Sequence, residues 1–473
     1  MIRNISPIVA ALCVCLVSMP GQASADVIGD ALSGMSANSW QKININTFQS
    51  VWTPLAQRPK PTSPMENISA WSGAAWDSGR SNLYIWGGGH CSACDEGNEV
   101  YIFSGKTGLW SRGSLPSQIS STSGIEHTVD GVMNAPLSGE SWDNVVFLDN
   151  IDRMAVIGVS REGQTWRDPA TRLNTGPYFW DPARADPNKV SGLTGSQVNP
   201  STFPDVIGGQ MWQNRDNNPG IDHLRGSTAY VNVDGKDVVY VKDTDGSLWR
   251  YTVHDLDPAS DTWKRIGRRP FPGGESGDGS AAIDTTNNMF LHVLTGNSFG
   301  FWDLDHPGGE WDNRGIKVIP NMEAGITPPD FRNFGVQFDP TLGAFMLWDG
   351  SSSVWLLTPP EDLDANDDGI LDVATGWQLE AVEVPGAGPE IPLGKWEYTG
   401  VYGKWLYLEE YNAYLGVIDP VTGDVFLYRS FASDVPEPPD PVPVPEPNPA
   451  ALVLISLLGI LASSKIKQRR SRL

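Results

Sequence analysis

Tyr84-Ile85-Trp86-Gly87-Gly88-Gly89-His90 leads through Cys91-Ser92-Ala93-Cys94-Asp95-Glu96-Gly97 into Asn98-Glu99-Val100-Tyr101-Ile102-Phe103, and a short turn later come Leu109-Trp110. An apolar run closed by three glycines reads as a strand whose end lies against other backbone or a ligand, where a side chain would not fit. The aromatic run after it reads as a second strand. The Trp that opens the next strand has the volume to fill a gap between stacked sheets. One such unit cannot bury its own faces, so the pattern should repeat along the chain.

It recurs six times. Aromatic strands stand at Val100–Phe103, Tyr178–Asp181, Leu248–Tyr251, Phe301–Asp303, Val354–Leu357 and Val425–Tyr428. Apolar strands precede them at Leu83–Trp86, Met154–Val159, Val238–Val241, Met289–Leu294, Ala344–Trp348 and Ala413–Ile418. Trp110, Trp263, Trp311 and Trp377 mark expected fourth strands, and Val190–Leu193 stands in for the missing Trp of the second unit. The sixth unit has no fourth strand of its own. Ser39-Trp40-Gln41-Lys42-Ile43 has the missing pattern and is expected to close the ring against Val425–Tyr428, which removes the open edges of an all-β chain.

Strand order, glycine run and fourth-strand Trp together resemble a kelch-type β-propeller. Gly400-Val401-Tyr402-Gly403-Lys404-Trp405 through Tyr428 resembles the closing blade of galactose-oxidase-like propellers. The resemblance implies an all-β ring of six four-stranded blades over residues 26–432, or seven if the stretch 196–226 contains a strand pair. A β-sandwich is the competing architecture, and six matched aromatic strands favour the propeller. Galactose oxidase itself uses a copper centre with a Cys–Tyr crosslink. Here the Cys pair that remains is C-x-x-C, which argues against copper-radical chemistry.

Both ends of the 473-residue chain read as processing signals. Residues 1–25 carry Arg3, an apolar run and Ala23-Ser24-Ala25, the pattern of a signal peptide cut before Asp26. Residues 433–449 are an acidic, proline-rich spacer containing Val444-Pro445-Glu446-Pro447. Residues 450–473 are an apolar run followed by Lys465, Lys467, Arg469, Arg470 and Arg472. That order resembles a PEP-CTERM sorting signal. It implies signal peptidase and exosortase as processing partners, transient inner-membrane anchoring, and export to the cell surface or beyond in a bacterium that makes exopolysaccharide. Glycans are therefore a ligand class to consider. The net charge is −23, and both terminal segments are purely basic, so the body between them is more acidic still. Such a body repels nucleic acid and anionic lipid.

In a meandering blade, the loops between strands two and three share a face with the loops between blades. That face collects His90, Asp95, Glu96, His127, Arg161, Arg167, Arg215, His223 and Arg225, on long loops of the kind that carry binding. A metal-dependent oxidase or lyase would have its site around His90, His127 and His223; His90 and His127 could share a metal or act as acid and base, although no third ligand has diagnostic spacing. Hydrogen bonding of these histidines to loop carbonyls is the simpler reading, and a binding protein the simpler function. Cys91 and Cys94 read as a local disulfide in an oxidising compartment, with a redox pair or a zinc half-site with His90 as alternatives.

Asp364-Ala365-Asn366-Asp367-Asp368-Gly369-Ile370-Leu371-Asp372 matches a D-x-N-x-D-G-x-x-D calcium loop, with Asp364, Asn366, Asp368 and Asp372 as side-chain ligands and Ile370 offering its carbonyl. Thr375 stands where an EF-hand has its bidentate Glu. The alternative is a solvated acidic turn. In either case it lies on the face opposite His90. The sorting reading has a direct consequence: a chain truncated before Val444 should be exported and released in soluble form. Retention of that truncated chain in the membrane fraction would reject it.

Overall fold

The computed structural model describes residues 26–89, 97–160, 166–221, 226–267, 279–323, 325–327, 329–391 and 399–430. Within them the chain forms a six-bladed propeller of four-stranded antiparallel sheets. Blade 1 comprises Gly73–Asp77, Asn82–Trp86, Tyr101–Ser104 and Leu109–Arg112. Blade 2 comprises Val145–Leu148, Arg153–Val156, Tyr178–Trp180 and Trp212–Asn214. Blade 3 comprises Ser227–Val233, Lys236–Lys242, Leu248–Val253 and Thr262–Gly267, and blade 4 Ala281–Asp284, Met289–Val293, Phe299–Asp303 and Ile316–Val318. Blade 5 comprises Gly335–Asp339, Ala344–Trp348, Val354–Thr358 and Gln378–Val382, with Asn321–Met322 added in parallel at its outer edge. Blade 6 comprises Trp405–Leu408, Ala413–Ile418, Asp424–Arg429 and the N-terminal strand Ser39–Lys42. Each innermost strand neighbours that of the next blade, and Trp405–Leu408 meets Gly73–Asp77, so the ring is closed. The α-helices among the described residues are Val27–Gly34 and Glu66–Ser69, and none is long and apolar enough to cross a membrane.

The apolar runs follow from this architecture. Successive side chains of a strand point to opposite faces, and in a propeller both faces of a blade are buried in seams. Leu83 and Ile85 enter the core between blades 6 and 1, while Tyr84 and Trp86 enter the core between blades 1 and 2. Each of the six hydrophobic clusters fills one seam. The glycine run is needed for close approach: Gly87, Gly88 and Gly89 all have positive φ, and a Cβ on Gly88 would lie 2.2 Å from the Glu66 carbonyl oxygen. Asp77, Asp284 and Asp339 end innermost strands and accept backbone N–H bonds from Arg80, Thr286 and Thr341, which fixes the turn to the second strand.

Two fourth strands differ from expectation. Blade 4 uses Ile316–Val318, whose Val318 enters the core between blades 4 and 5, whereas Trp311 lies in the preceding loop, 63% exposed. In blade 2 the chain makes a long excursion over 181–211 before returning as Trp212–Asn214, so this blade does have a fourth-strand Trp. Val190 forms only isolated bridges with Leu115 and Gly208 within that excursion. Among its described residues, the stretch 196–226 supplies that single strand and no seventh blade.

Closure occurs against the expected strand, with Trp40 opposite Tyr428 and Lys42 opposite Phe426. The Trp40 ring packs 4.7 Å from Tyr428, 5.5 Å from Trp348 and 5.8 Å from Trp405, and its Nε1 donates to the Ser352 carbonyl at 2.9 Å. Lys42 pairs with Asp424 across the same strands. Ile28, Leu32, Met35 and Ile43 enter the core between blades 6 and 1. Trp40→Ala should therefore cost about 3–5 kcal/mol, as for other large-to-small core changes. Urea denaturation checks this, and an unchanged midpoint would contradict the closing role.

Candidate functional site

Of the residues expected on the loop face, His90, Cys91, Cys94, Asp95, Glu96, Arg161, His223 and Arg225 lie outside the described residues. His127 sits on a hairpin, Ile119–Thr122 with Ile125–Thr128, between blades 1 and 2. Its Nδ1 lies 2.7 Å from the Thr128 carbonyl and its Nε2 3.0 Å from the Thr122 hydroxyl. A carbonyl only accepts, so Nδ1 carries the proton and Nε2 accepts from Thr122 when the ring is neutral. Both nitrogens are thus engaged. Arg167 bridges to Asn174 in the long loop of blade 2. Arg215 is fully buried as a tie between blades 2 and 3. It holds Asp261 through two nitrogens at 2.7 and 2.8 Å, bonds the Leu256 and Asp255 carbonyls, and lies 4.7 Å over the Phe179 ring. Its guanidinium is committed to structure.

The chemistry that the sequence reading missed lies where innermost strands begin, at the mouth of the ring. Asp143, just before blade 2, is 7% exposed. Its backbone carbonyl accepts from the Thr228 N–H and hydroxyl, and its Oδ2 accepts from the Ala281 N–H at 2.8 Å. Its Oδ1 lies so close to Gly403 that a Cβ there would be 2.9 Å away. Asp143, just before blade 2, thus bonds blade 3 through its carbonyl and blade 4 through its carboxylate, and packs closely against Gly403 beside blade 6. Lys404, which opens blade 6, is wholly buried and donates to the carbonyl and hydroxyl of Ser72, just before blade 1, at 2.8 and 3.1 Å. Burial raises the Asp143 carboxyl well above the usual range, opposed by the Ala281 N–H and the Lys404 charge. Burial likewise lowers the Lys404 ammonium to about 7, opposed by Asp143. Both shifts favour the neutral forms, as expected where desolvation exceeds the attraction between two charges.

Three aromatic residues frame this pair. Trp71, Trp142 and Tyr402 precede the innermost strands of blades 1, 2 and 6, with φ of 44°, 49° and 47°. The left-handed region is unfavourable for bulky side chains, so each backbone position is held there by its surroundings. The Trp142 N–H donates to the Trp71 carbonyl at 2.8 Å, and the Trp71 N–H donates to the Thr399 hydroxyl at 2.7 Å. The rings form a continuous ledge, Trp71 to Trp142 at 5.7 Å and Trp142 to Tyr402 at 5.0 Å. Trp142 and Tyr402 are buried, while Trp71 remains partly exposed. A charge standing alone before an apolar strand, as in Tyr402-Gly403-Lys404-Trp405, was the available sequence signal for this layer.

The acidic loop lies between the third and fourth strands of blade 5, on the face opposite the ledge. Asp364 accepts the N–H groups of Asn366, Asp368 and Gly369. Asp372 accepts from the Ala365 N–H and the Asn366 amide, and Asp368 accepts from the Ile370 N–H. Among the described residues, no three His, Cys, Asp or Glu side chains converge as a metal site.

No family model matches the chain, and no curated protein is similar to it in sequence. Among solved structures, YCF48 bound to D1 peptide shares 14% identity at a TM-score of 0.34, covering 84% of this chain and 98% of that one. Chaetomium thermophilum Sqt1 bound to the N-terminus of ribosomal protein L10 shares 10% at a TM-score of 0.31, covering 80% and 72%. Likeness at this level carries no argument beyond the sheet order already described.

The depressed Lys404 makes stability depend on pH. Between about 7 and its ordinary value of 10.5, the unfolded chain binds a proton that the folded chain does not. Stability due to this group therefore rises with pH across that window, by up to about 1.4 kcal/mol per unit, and its cost is fully present below it. Lys404→Met should flatten that rise in urea denaturations at pH 7 and pH 9. An identical slope in the variant would place the titration elsewhere.

Proposed function

We propose that this chain is an exported, kelch-like propeller that binds a glycan of the cell surface or extracellular matrix at the mouth framed by Trp71, Trp142 and Tyr402. The observation that carries the reading is the aromatic ledge, held in unfavourable backbone conformations around a buried Asp–Lys pair. Strain of this kind concentrates at functional positions, and aromatic faces suit the apolar faces of sugar rings. In this reading signal peptidase and exosortase process the chain, and residues 450–473 contact the membrane only until sorting. The rival, a metal-dependent enzyme around His90, His127 and His223, has less support, since both ring nitrogens of His127 are hydrogen-bonded.

A separate proposal concerns the Asp364–Asp372 loop as a structural calcium site, resting on its sequence pattern. Binding requires Asn366, Asp368 and Asp372 to turn from the loop's own donors toward a common centre. Calorimetric titration should show calcium binding that Asp368→Asn abolishes, and no heat down to millimolar affinity, the weak end for extracellular modules, leaves a solvated turn. For the glycan, affinity electrophoresis against the exopolysaccharide of the producing bacterium is the direct measurement. Trp71→Ala should weaken binding about tenfold, the scale of one aromatic contact. Undiminished binding by that variant would remove the ledge from the proposal.

A further inference from the structure

The sequence places a Trp at the fourth strand of blades 1, 3, 4 and 5, and blade 4 departs from the other three. Trp110 and Trp377 are buried, and Trp263 is half-buried against Tyr251, with 4.3 Å between ring centres. Trp311 is 63% exposed, and among the described residues it is the only aromatic side chain left in that state. Val318 enters the core of the seam instead. Where one unit of a repeat abandons the packing rule of the others, a function other than packing is to be sought.

The fold holds this ring in place from two sides. Trp311 is the third residue of a tight turn, Gly309 to Asp312, that is fastened twice. The Asp312 N–H donates to the Gly309 carbonyl at 3.0 Å, and the Gly309 N–H donates to Asp312 Oδ2 at 2.8 Å. Gly308 leads into the turn with φ of 88°, and a Cβ there would lie 2.9 Å from the Asp312 Cβ. On its inner side the indole lies against Arg265 of the outermost strand of blade 3. The guanidinium carbon is 5.0 Å from the Trp311 ring centre and 5.8 Å from that of Trp249, so one cation serves two indoles. Arg265 in turn donates to the Ser247 hydroxyl and to Asp245 at 3.4 Å. The setting of the ring is polar: residues 309–314 are all exposed, and Glu310, Asp312, Asn313 and Arg314 stand beside Trp311 in the chain.

We propose that Trp311 is a sugar-stacking platform at the outer edge of the seam between blades 3 and 4, a second glycan contact separate from the mouth. One flat apolar surface in a polar setting matches one pyranose ring, which pairs a face of C–H groups with a rim of hydroxyls. Those hydroxyls then meet the carboxylate, amide and guanidinium groups of the same loop. A protein partner fits less well, because a stable protein interface buries roughly 1,200–2,000 Å² around several apolar anchors, and this loop offers one. The acidic body likewise repels anionic lipid. The choice of a glycan rests on the function proposed above. The platform does not depend on the aromatic ledge, since a loop between third and fourth strands leaves from the opposite face of the ring.

The test runs the unaltered protein, Trp71→Ala, Trp311→Ala and Trp311→Tyr through gels containing the exopolysaccharide of the producing bacterium. Trp311→Ala should weaken retardation by up to about tenfold in apparent Kd, the scale of one aromatic contact. Trp311→Tyr keeps an aromatic face and should retain most of the retardation. The urea midpoint of both Trp311 variants should stay near that of the unaltered protein, as for other exposed positions. Weakening in Trp311→Ala with Trp71→Ala unaffected keeps the platform and removes the ledge. Undiminished retardation of Trp311→Ala overturns the platform, even where Trp71→Ala binds less and the mouth stands. No retardation of the unaltered protein fails the glycan reading itself and the platform with it. A Trp311→Ala chain that is retarded normally but no longer pellets with phosphatidylcholine vesicles would make the ring a lipid contact, which also overturns the proposal.

Discussion

The strand Ser39–Lys42 is the piece on which the ring depends. Five seams of a six-bladed ring join blades that follow one another in the chain. The sixth joins the last blade to the first, and only non-covalent contacts close it. Here the N-terminal segment does this twice over. Its backbone completes blade 6, and Trp40 fills the core between blades 5 and 6. Its neighbours Ile28, Leu32, Met35 and Ile43 fill the core between blades 6 and 1. Blades buried on both faces cannot stand alone, so every other seam relies on this one.

The same double burial explains what was legible in the sequence. Second and third strands have no solvent face, so they appear as unbroken apolar or aromatic runs, and all twelve were placed. Fourth strands are outermost, short and partly exposed, and a Trp alone does not locate them. Trp263 and Trp110 lie in theirs, Trp377 precedes its strand by one residue, and Trp311 sits in a loop beneath Arg265. The site was harder to read. Candidate residues were sought where polar side chains cluster, on the long loops. Asp143 and Lys404 are single polar letters just before innermost strands, and only closure of the ring brings them into each other's electrostatic field.

The level of the mouth differs sharply from the rest of each seam. Below it, the interior is ordinary packing of Leu, Val, Phe and Trp. At it lie a carboxyl and an amine driven toward neutrality and three aromatic residues with left-handed backbone. Each feature is costly for stability, and they occur together at one mouth of the ring. A rigid scaffold with six strong seams can tolerate such a layer.

Closure by the N-terminal strand also sets an order of events. The side chains of Asn38 and Tyr428, which meet through a 2.9 Å hydrogen bond, are 390 positions apart. In a chain emerging amino-end first, Ser39–Lys42 is among the earliest strands to appear and among the last to find its partner. Until then its backbone donors and acceptors are unpaired, as is the edge of Asp424–Arg429. Long-range pairing of this kind slows folding, and exposed edges invite pairing between copies. The waiting strand carries Lys42 and is only four residues long, features that make an open edge a poor template for another chain.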